Sequence, residues 1–407
     1  MQYDELKTLL EAHRQMHVLR WWDELDAAGR EKLAGQIESI DWETVSLSHI
    51  GENGGRGKIE PIEGLSLEEI EARRAEYSAV GQEAIVKGKV AAVLLAGGQG
   101  TRLGLDGPKG ACDIGITKPL YIFEQLIRNM QDVTNACGAY VPLLIMTSDL
   151  NDGATRAFFE EHNYFGYPAE EVFFFRQEMA PAVDEQGKLL MSAKDSLALS
   201  PNGNGGWYTS LERAGLVKKM AARGVEWFNV FAVDNVLQRI ADPVFVGATI
   251  ASGKASGAKF VRKGYPEERV GVLCLEDGLP TVIEYYELSD EMANLRDGAG
   301  RLVYAFGVTL NYLFRLDVLQ KIVSQRLPVH AAHKKVPCLD ESGALVTPER
   351  ENGYKFETLI LDMVREAGSC LPFEVVREHE FAPIKNKVGK DSVESARELL
   401  KRYGVQL

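Results

Sequence analysis

The sequence predicts an α/β fold: a mixed, mostly parallel sheet flanked by helices, with a helical lobe ahead of it. Three observations carry this. Apolar runs at 90–96, 141–147 and 225–233 are too short to span a membrane and lack polar alternation, as strands buried on both faces do. Between the first two runs, Leu120, Phe123, Leu126, Ile127 and Met130 trace one helical face after Pro119. Strand, helix and strand in that order argue a right-handed βαβ unit. The first run ends in Gly97, Gly98, Gly100 and Gly104, at the carboxyl end of a strand, where open sheets bind ligands.

The glycine stretch reads as a site for a nucleoside triphosphate. Glycines let backbone N–H groups face an anion with no Cβ in the way. Arg102 and Lys109, set among them, supply fixed positive charge for phosphate oxygens. A Walker A loop is excluded because no Gly-Lys-Ser/Thr occurs. A dinucleotide fingerprint fits at Gly98 and Gly100 but fails at position 103, which is Leu103. The bland alternative is a glycine-rich turn after a core strand.

LLAGGQGTRLG over 94–104, followed by Pro108-Lys109-Gly110, resembles the UDP-sugar pyrophosphorylase family (UDPGP type 1). Within it the resemblance is nearest the UDP-N-acetylhexosamine (UDP-N-acetylglucosamine) branch, and it runs from about Val90 to about Arg397. It implies a Rossmann-like, GT-A-like nucleotidyltransferase domain over 90–380. A short segment, 381–407, would complete the active site, in a shortened, bacterial-type form.

Composition is that of an ordinary globular chain: 407 residues, 45% hydrophobic and 26% charged. A formal charge of −13 gives no general footprint for nucleic acid. Five scattered cysteines, with no C-x-x-C pair, suit a reducing compartment. With no signal peptide, apolar span or lipidation motif in the sequence, the expected location is cytoplasmic, without a membrane partner. Oligomeric state is not fixed by the sequence, and a monomer is compatible with it.

Residues 1–89 read as the helical lobe. Leu6, Leu9, Leu10, His13, Met16 and His17 fall at helical spacing, continuing through Leu19, Trp22 and Leu25. Asp26 is the N-cap of a second helix with Leu33 and Ile37 inside, and Ser66-x-x-Glu69 is a capping box. Gly51, Gly54, Gly55 and Gly57 mark a break. His13 and His17 stand four apart, but with no acidic partner a metal site is not expected there.

Further along, Phe173 to Phe175 forms a third strand ending at Arg176-Gln177, and Gln177 offers the donor and acceptor that uracil requires. The resemblance places Gln177 at the base. It also makes 201–206 a base-binding loop in which Gly205 admits the backbone close to uracil. Asp234-Asn235 closes the run 225–233, and an Asp at that end of a strand suits Mg²⁺ as a hard oxygen ligand. The competing reading of Asp234 is a helix N-cap. Strands are expected near 258–261, 271–275 and 281–285, and a helix around 355–364.

The remaining roles come from the resemblance. Arg102 and Lys109 would bind the triphosphate on the glycines Gly97 and Gly98, Asp234 would hold Mg²⁺ (Mn²⁺ being an alternative), and Lys385 would reach the phosphates. Asn235, Glu284 and Gly307 would line the sugar side. The implied reaction is UTP + N-acetylglucosamine 1-phosphate giving UDP-N-acetylglucosamine and pyrophosphate. Ala305 and Val308 stand where that branch carries asparagines, so glucose 1-phosphate and galactose 1-phosphate stay open as substrates. A UDP-sugar-binding regulatory protein without catalysis is the third reading.

Overall fold

Ten strands of one sheet organise the larger part of the computed structural model, which describes residues 1–46 and 56–407. The expected break at Gly51, Gly54 and Gly55 lies outside the described residues. In chain order the strands are β1 (Ile59–Glu60), β2 (Val90–Leu95), β3 (Leu143–Thr147), β4 (Val172–Arg176) and β5 (Trp227–Ala232). They continue with β6 (Ser256–Arg262), β7 (Val272–Glu276), β8 (Leu279–Ile283), β9 (Phe306–Arg315) and β10 (Cys370–Glu374). The order across the sheet is β1-β7-β9-β5-β2-β3-β4, with β6 bridging β9 to β10 and β8 paired to β7.

Strands β5, β2, β3 and β4 are mutually parallel, with Ala232 opposite Leu95, Leu94 opposite Ile145, and Ile145 opposite Phe174. β9 lies antiparallel on the outer side of β5. The sheet is therefore mixed, with its parallel part at the glycine stretch. Every residue of β2 and β5 is buried, as continuous apolar runs require when helices cover both faces.

Helix α1 (Arg74–Val86) packs on α4 (Pro243–Ser252), while α2 (Ile122–Cys137) and α3 (Asp152–Glu161) follow β2 and β3. α2 buries Phe123, Leu126, Ile127, Met130 and Val133 in the main core and stops at Gly138, whose φ of 67° ends the helix left-handed. Each such side chain contributes about 1.5–3 kcal/mol when fully buried. The last helix, α5 (Val393–Arg402), has its own cap at Ser392 and sends Arg397 to the carbonyls of Ile114 (2.9 Å) and Gly115 (2.6 Å). Strand, helix and strand from β2 through α2 to β3 are thus the βαβ unit read from the sequence.

Packing divides the chain differently from the segments 1–89, 90–380 and 381–407. One unit joins Met1–Gly55 to Glu178–Gly206 and Leu327–Ile360; the other is Arg56–Gln177, Trp207–Arg326 and Leu361–Leu407, the unit that holds the ten-stranded sheet. The smaller unit has helices Tyr3–Ala12 and Ala27–Glu38, whose Leu6, Leu10, Leu33 and Ile37 share a core with Val183, Leu189 and Phe356. Its antiparallel strands include Val183–Asp184, His330–Lys334 and Gly353–Glu357.

Local expectations hold at the caps: Asp26 accepts from Gly29 N at 2.8 Å, and the Ser66–Glu69 box is formed. They fail where spacing was followed too far. The first helix ends at Ala12, because Arg14 turns to φ 57°, and only short 3₁₀ turns carry the pattern onward to Glu24. Residues 353–357 form a strand, and the expected helix begins only at Ile360. Tyr285 lies beyond the end of β8. His13 stacks on Trp42 and His17 bonds the Leu189 carbonyl at 2.8 Å, so each histidine is separately engaged. All five cysteines are free thiols. Among the described residues no helix is long and apolar enough to cross a membrane.

Candidate active site

The parallel arrangement of β5, β2, β3 and β4 brings Asp234, Gly97 and Gln177 to one edge, since each follows the carboxyl end of its strand. After β2 the chain folds back on itself: Gly100 N–H donates to Gly107 O (2.9 Å) and Lys109 N–H to Gly98 O (3.2 Å). That return places Lys109 beside the first glycines. Asn151, buried at the start of α3, donates from Nδ2 to Ala96 O (2.9 Å) and Gly98 O (3.3 Å), while its Oδ1 accepts from Ser148 N (2.8 Å). Asn151 is not legible as a site residue in the sequence. Nothing in a polar Ser-Asp-Leu-Asn turn signals that its amide reaches back to another strand.

Gln177 is buried and its backbone N–H donates to Thr147 O at 2.8 Å. A Cβ built on Gly97 would stand 2.8 Å from Gln177 Nε2. Only glycine therefore lets the side chain of Gln177 lie over the loop at this distance. Gly98 has open space where a Cβ would be, the room that a ligand's close approach to the backbone needs.

Charge gathers on the same edge. Lys109 Nζ lies 3.9 Å from Asp234 Oδ2. Burial pushes the Lys109 ammonium below the usual lysine range; Asp234 opposes this, and the positive charges of Arg102 and Lys385 add to it. Three cations therefore act within reach of one another, with Asp234 the carboxylate that pairs with Lys109. Arg102 is exposed and, like Lys385, has no ion-pair partner among the described residues. Such a surplus of positive charge on glycine-rich backbone suits a polyphosphate.

Asp234 itself is not a helix cap: turns follow it, and the next helix, α4, is capped by Asp242. Its carboxylate lies a quarter exposed beside Lys109. Among the described residues there is no group of three or more His, Cys, Asp or Glu side chains that could hold a metal. One carboxylate, here held only by the 3.9 Å pairing with Lys109, is the protein donor Mg²⁺ uses when substrate oxygens and water complete its shell, so the residues fit that ion.

Lys385 reaches this edge on a segment tied to the end of β5. Ile384 N–H donates to Asp234 O (2.8 Å) and Val236 N–H to Ala382 O (3.3 Å). Between these bonds Asn235 donates from Nδ2 to Glu380 O (2.7 Å) and accepts at Oδ1 from Ala382 N (2.9 Å). Asn235, expected at the sugar, is 2% exposed with both ends of its amide on backbone. Two such bonds contribute about 1 kcal/mol each, and leaving their partners unpaired costs more.

On the other side, Glu284 follows β8, half-buried. Burial and the neighbouring Glu287 raise its carboxyl above the usual range, and Lys385 draws it back down. Lys385 thus acts electrostatically on both Lys109 and Glu284. Glu287 is fixed by Arg56 Nη2 (2.6 Å) and accepts the Glu284 backbone N–H (3.0 Å), leaving the Glu284 carboxylate unbonded among the described residues. Gly307 sits within β9 opposite Val272 and Val261, where a Cβ would meet Val270 at 2.8 Å; its role in the structure is strand packing. Gly205 belongs to the smaller unit. What its bare Cα approaches is the backbone of Leu359, 2.7 Å from a built Cβ, and its N–H donates to Thr358 O (2.9 Å).

Known proteins resemble this chain along most of its length. Residues 41–395 match the model of the family described as UTP–glucose-1-phosphate uridylyltransferase. The chain is 36% identical to the human UDP-N-acetylhexosamine pyrophosphorylase-like protein 1, covering 97% of this chain and 83% of that protein. It is likewise 36% identical to the UDP-N-acetylglucosamine pyrophosphorylase of Saccharomyces cerevisiae, over 94% of this chain and 86% of that one. The crystal structure of uridine diphosphate N-acetylglucosamine pyrophosphorylase from Trypanosoma brucei superposes with a TM-score of 0.82 at 29% identity, covering 98% of this chain and 84% of that one.

Proposed function

We propose that this chain, which belongs to the UTP–glucose-1-phosphate uridylyltransferase family, joins UTP to N-acetylglucosamine 1-phosphate, giving UDP-N-acetylglucosamine and pyrophosphate. The observation that carries the reading is the gathering of Arg102 and Lys385 about Lys109, itself 3.9 Å from Asp234, at the glycine-rich end of the parallel strands. The N-acetylhexosamine and N-acetylglucosamine pyrophosphorylases it matches along most of their length supply the sugar.

A phosphate oxygen of the sugar phosphate attacks the α-phosphorus of UTP. A new P–O bond forms as the bond to the pyrophosphate oxygen breaks, and the electron pair leaves with pyrophosphate. The attacking phosphate is ionised at neutral pH, so no side-chain nucleophile or base is required. Catalysis is positioning and charge stabilisation. Arg102 and Lys109 bind the triphosphate, with Lys109 nearest the α-phosphate through its place beside Asp234. Gln177 reads uracil over Gly97, and Gly98 gives the phosphates access to the backbone. Gly205 keeps only the base-binding role that the family resemblance implies.

Lys385 binds the sugar phosphate, and the unbonded Glu284 carboxylate accepts from sugar hydroxyls. Gly307 stays on the sugar side as the residue that keeps β9 in place. Asp234 is the residue that would hold Mg²⁺, which when bound supplies further charge neutralisation at the phosphates; Mn²⁺ takes the same donors.

Ala305 and Val308 favour a second reading, the same transfer to glucose 1-phosphate or galactose 1-phosphate. Pyrophosphate release from UTP and Mg²⁺ with a panel of sugar 1-phosphates separates the two. Turnover led by N-acetylglucosamine 1-phosphate is expected. Turnover led by glucose or galactose 1-phosphate moves the assignment to the second reading, and UTP binding without turnover on any sugar overturns both.

A further inference from the structure

We propose that Asn235 is a positioning residue: it locks the segment 380–385 onto the end of β5, so that Lys385 and Asp234 keep one fixed separation at the phosphates. The inference rests on the assignment of Lys385 to the sugar phosphate. Its basis is the way Lys385 is held. Asp234 and Lys385 lie 151 residues apart in sequence, yet the chains that carry them form a short antiparallel bridge, Asn235 opposite Pro383. Within that bridge Ile384 N–H donates to Asp234 O, and the Asn235 amide ties Glu380 O and Ala382 N. Ala382 and Ile384 are 2% and 0% exposed, while Lys385, next along an extended chain, is exposed.

The segment is fixed at both ends as well. Upstream, the Glu380 carboxylate accepts from Lys259 Nζ (2.5 Å) and from Arg239 N (3.2 Å), and Lys259, 1% exposed, also donates to Arg239 O (3.0 Å). Downstream, Lys385 N and Asn386 N both donate to Asp391 O (2.7 and 3.0 Å). The middle is held by two backbone bonds, Ile384 N–H to Asp234 O and Val236 N–H to Ala382 O, and by one side chain, that of Asn235. The planar amide supplies at once a donor for one carbonyl and an acceptor for one N–H. With its amide so engaged, Asn235 acts on the reaction through Lys385 rather than by touching substrate, and a misplacement of about 1 Å costs on the order of 10² in rate.

A double-mutant cycle tests this. Asn235→Ala is assayed for kcat and for the KM of UTP and of N-acetylglucosamine 1-phosphate, in the wild-type and the Lys385→Ala backgrounds. Asn235→Asp is run alongside; it keeps the acceptor for Ala382 N–H and loses the donor to Glu380 O, and it carries the same cycle if Asn235→Ala does not fold. The expected result is a loss in kcat on the order of 10²-fold. The KM of UTP should change by less than about threefold, and the loss should shrink to under about threefold once Lys385 is absent. Undiminished loss in the Lys385→Ala background, or wild-type kcat in the folded Asn235 variants, would overturn the positioning role alone. Wild-type turnover of Lys385→Ala itself would overturn the Lys385 assignment and this inference together.

Discussion

Two sets of polar side chains meet at the edge of the parallel strands, and they differ in how fully they are bonded. Arg102, Gln177 and Glu284 leave charged or amide groups without partners among the described residues. Asn151, Asn235 and Glu380 have theirs engaged with backbone or with Lys259. A buried polar group left unpaired is costly, so the open set is stable only where water or a ligand completes it. The saturated set gives the fixed frame on which the open groups stand. The first should govern turnover with little effect on folding, and the second should govern both.

The sharpest break of that contrast is at Arg102. Arg102→Ala should lower kcat by about 10²–10³ while changing stability by less than about 0.5 kcal/mol, as at other exposed sites. Near-normal turnover of the folded variant would remove Arg102 from the site. Asn151→Ala removes the side-chain donor to Ala96 O and Gly98 O, the second of which still accepts from Lys109 N–H, and the acceptor for Ser148 N–H. It should cost about 1–3 kcal/mol of stability by urea unfolding and raise the KM of UTP as well; an effect on only one of these would blur the distinction drawn here.

Gly97→Ala sets a methyl 2.8 Å from Gln177 Nε2. Displacing that amide should weaken UTP by about tenfold, equal to about 1.4 kcal/mol, without a matching loss in kcat, which steady-state kinetics would resolve. Lys109 offers a test by pH. Its ammonium is held below the ordinary lysine range by burial and by Arg102 and Lys385, so it loses its proton earlier as pH rises. The alkaline fall in kcat/KM for UTP should therefore begin below the usual lysine pKa, and Lys385→Met should move it upward by removing one of the repelling charges.

The smallest effect is expected at Glu284. Its folded carboxyl is raised by burial and by Glu287, so its charged form disfavours the fold at neutral pH, and relative stability is regained as pH falls toward that raised value. Glu284→Gln should stabilise the protein at pH 7 by no more than about 1 kcal/mol, seen as a small rise in Tm, while turnover with the sugar phosphate falls.

The division between legible and hidden features follows the range of the interactions involved. The strands around the site were legible because double burial writes itself as an unbroken apolar run, as in 90–96. The glycine loop and the cations set on it were legible because they lie close together in sequence. Asn151 and Asn235 were not, because their partners lie 55 and 145 residues away and a buried asparagine looks like any other. The composition of the smaller unit was hidden for the same reason. Glu178–Gly206 and Leu327–Ile360 join the N-terminal helices through long-range packing, which neither spacing nor capping signals announce. Helical expectations failed beyond Ala12, where 3₁₀ turns preserve the apolar pattern without the α-helix, and at 355–357, which form a strand.

Direct displacement at the α-phosphorus, driven by fixed charge and with no covalent enzyme intermediate, is tested most directly by stereochemistry. UTP carrying a single diastereomer of sulfur at the α-phosphorus would be converted with N-acetylglucosamine 1-phosphate, and the configuration of the product read by ³¹P NMR. One in-line step predicts inversion at phosphorus. Retention would contradict it, because two displacements would then have occurred and a protein side chain would have carried the uridylyl group.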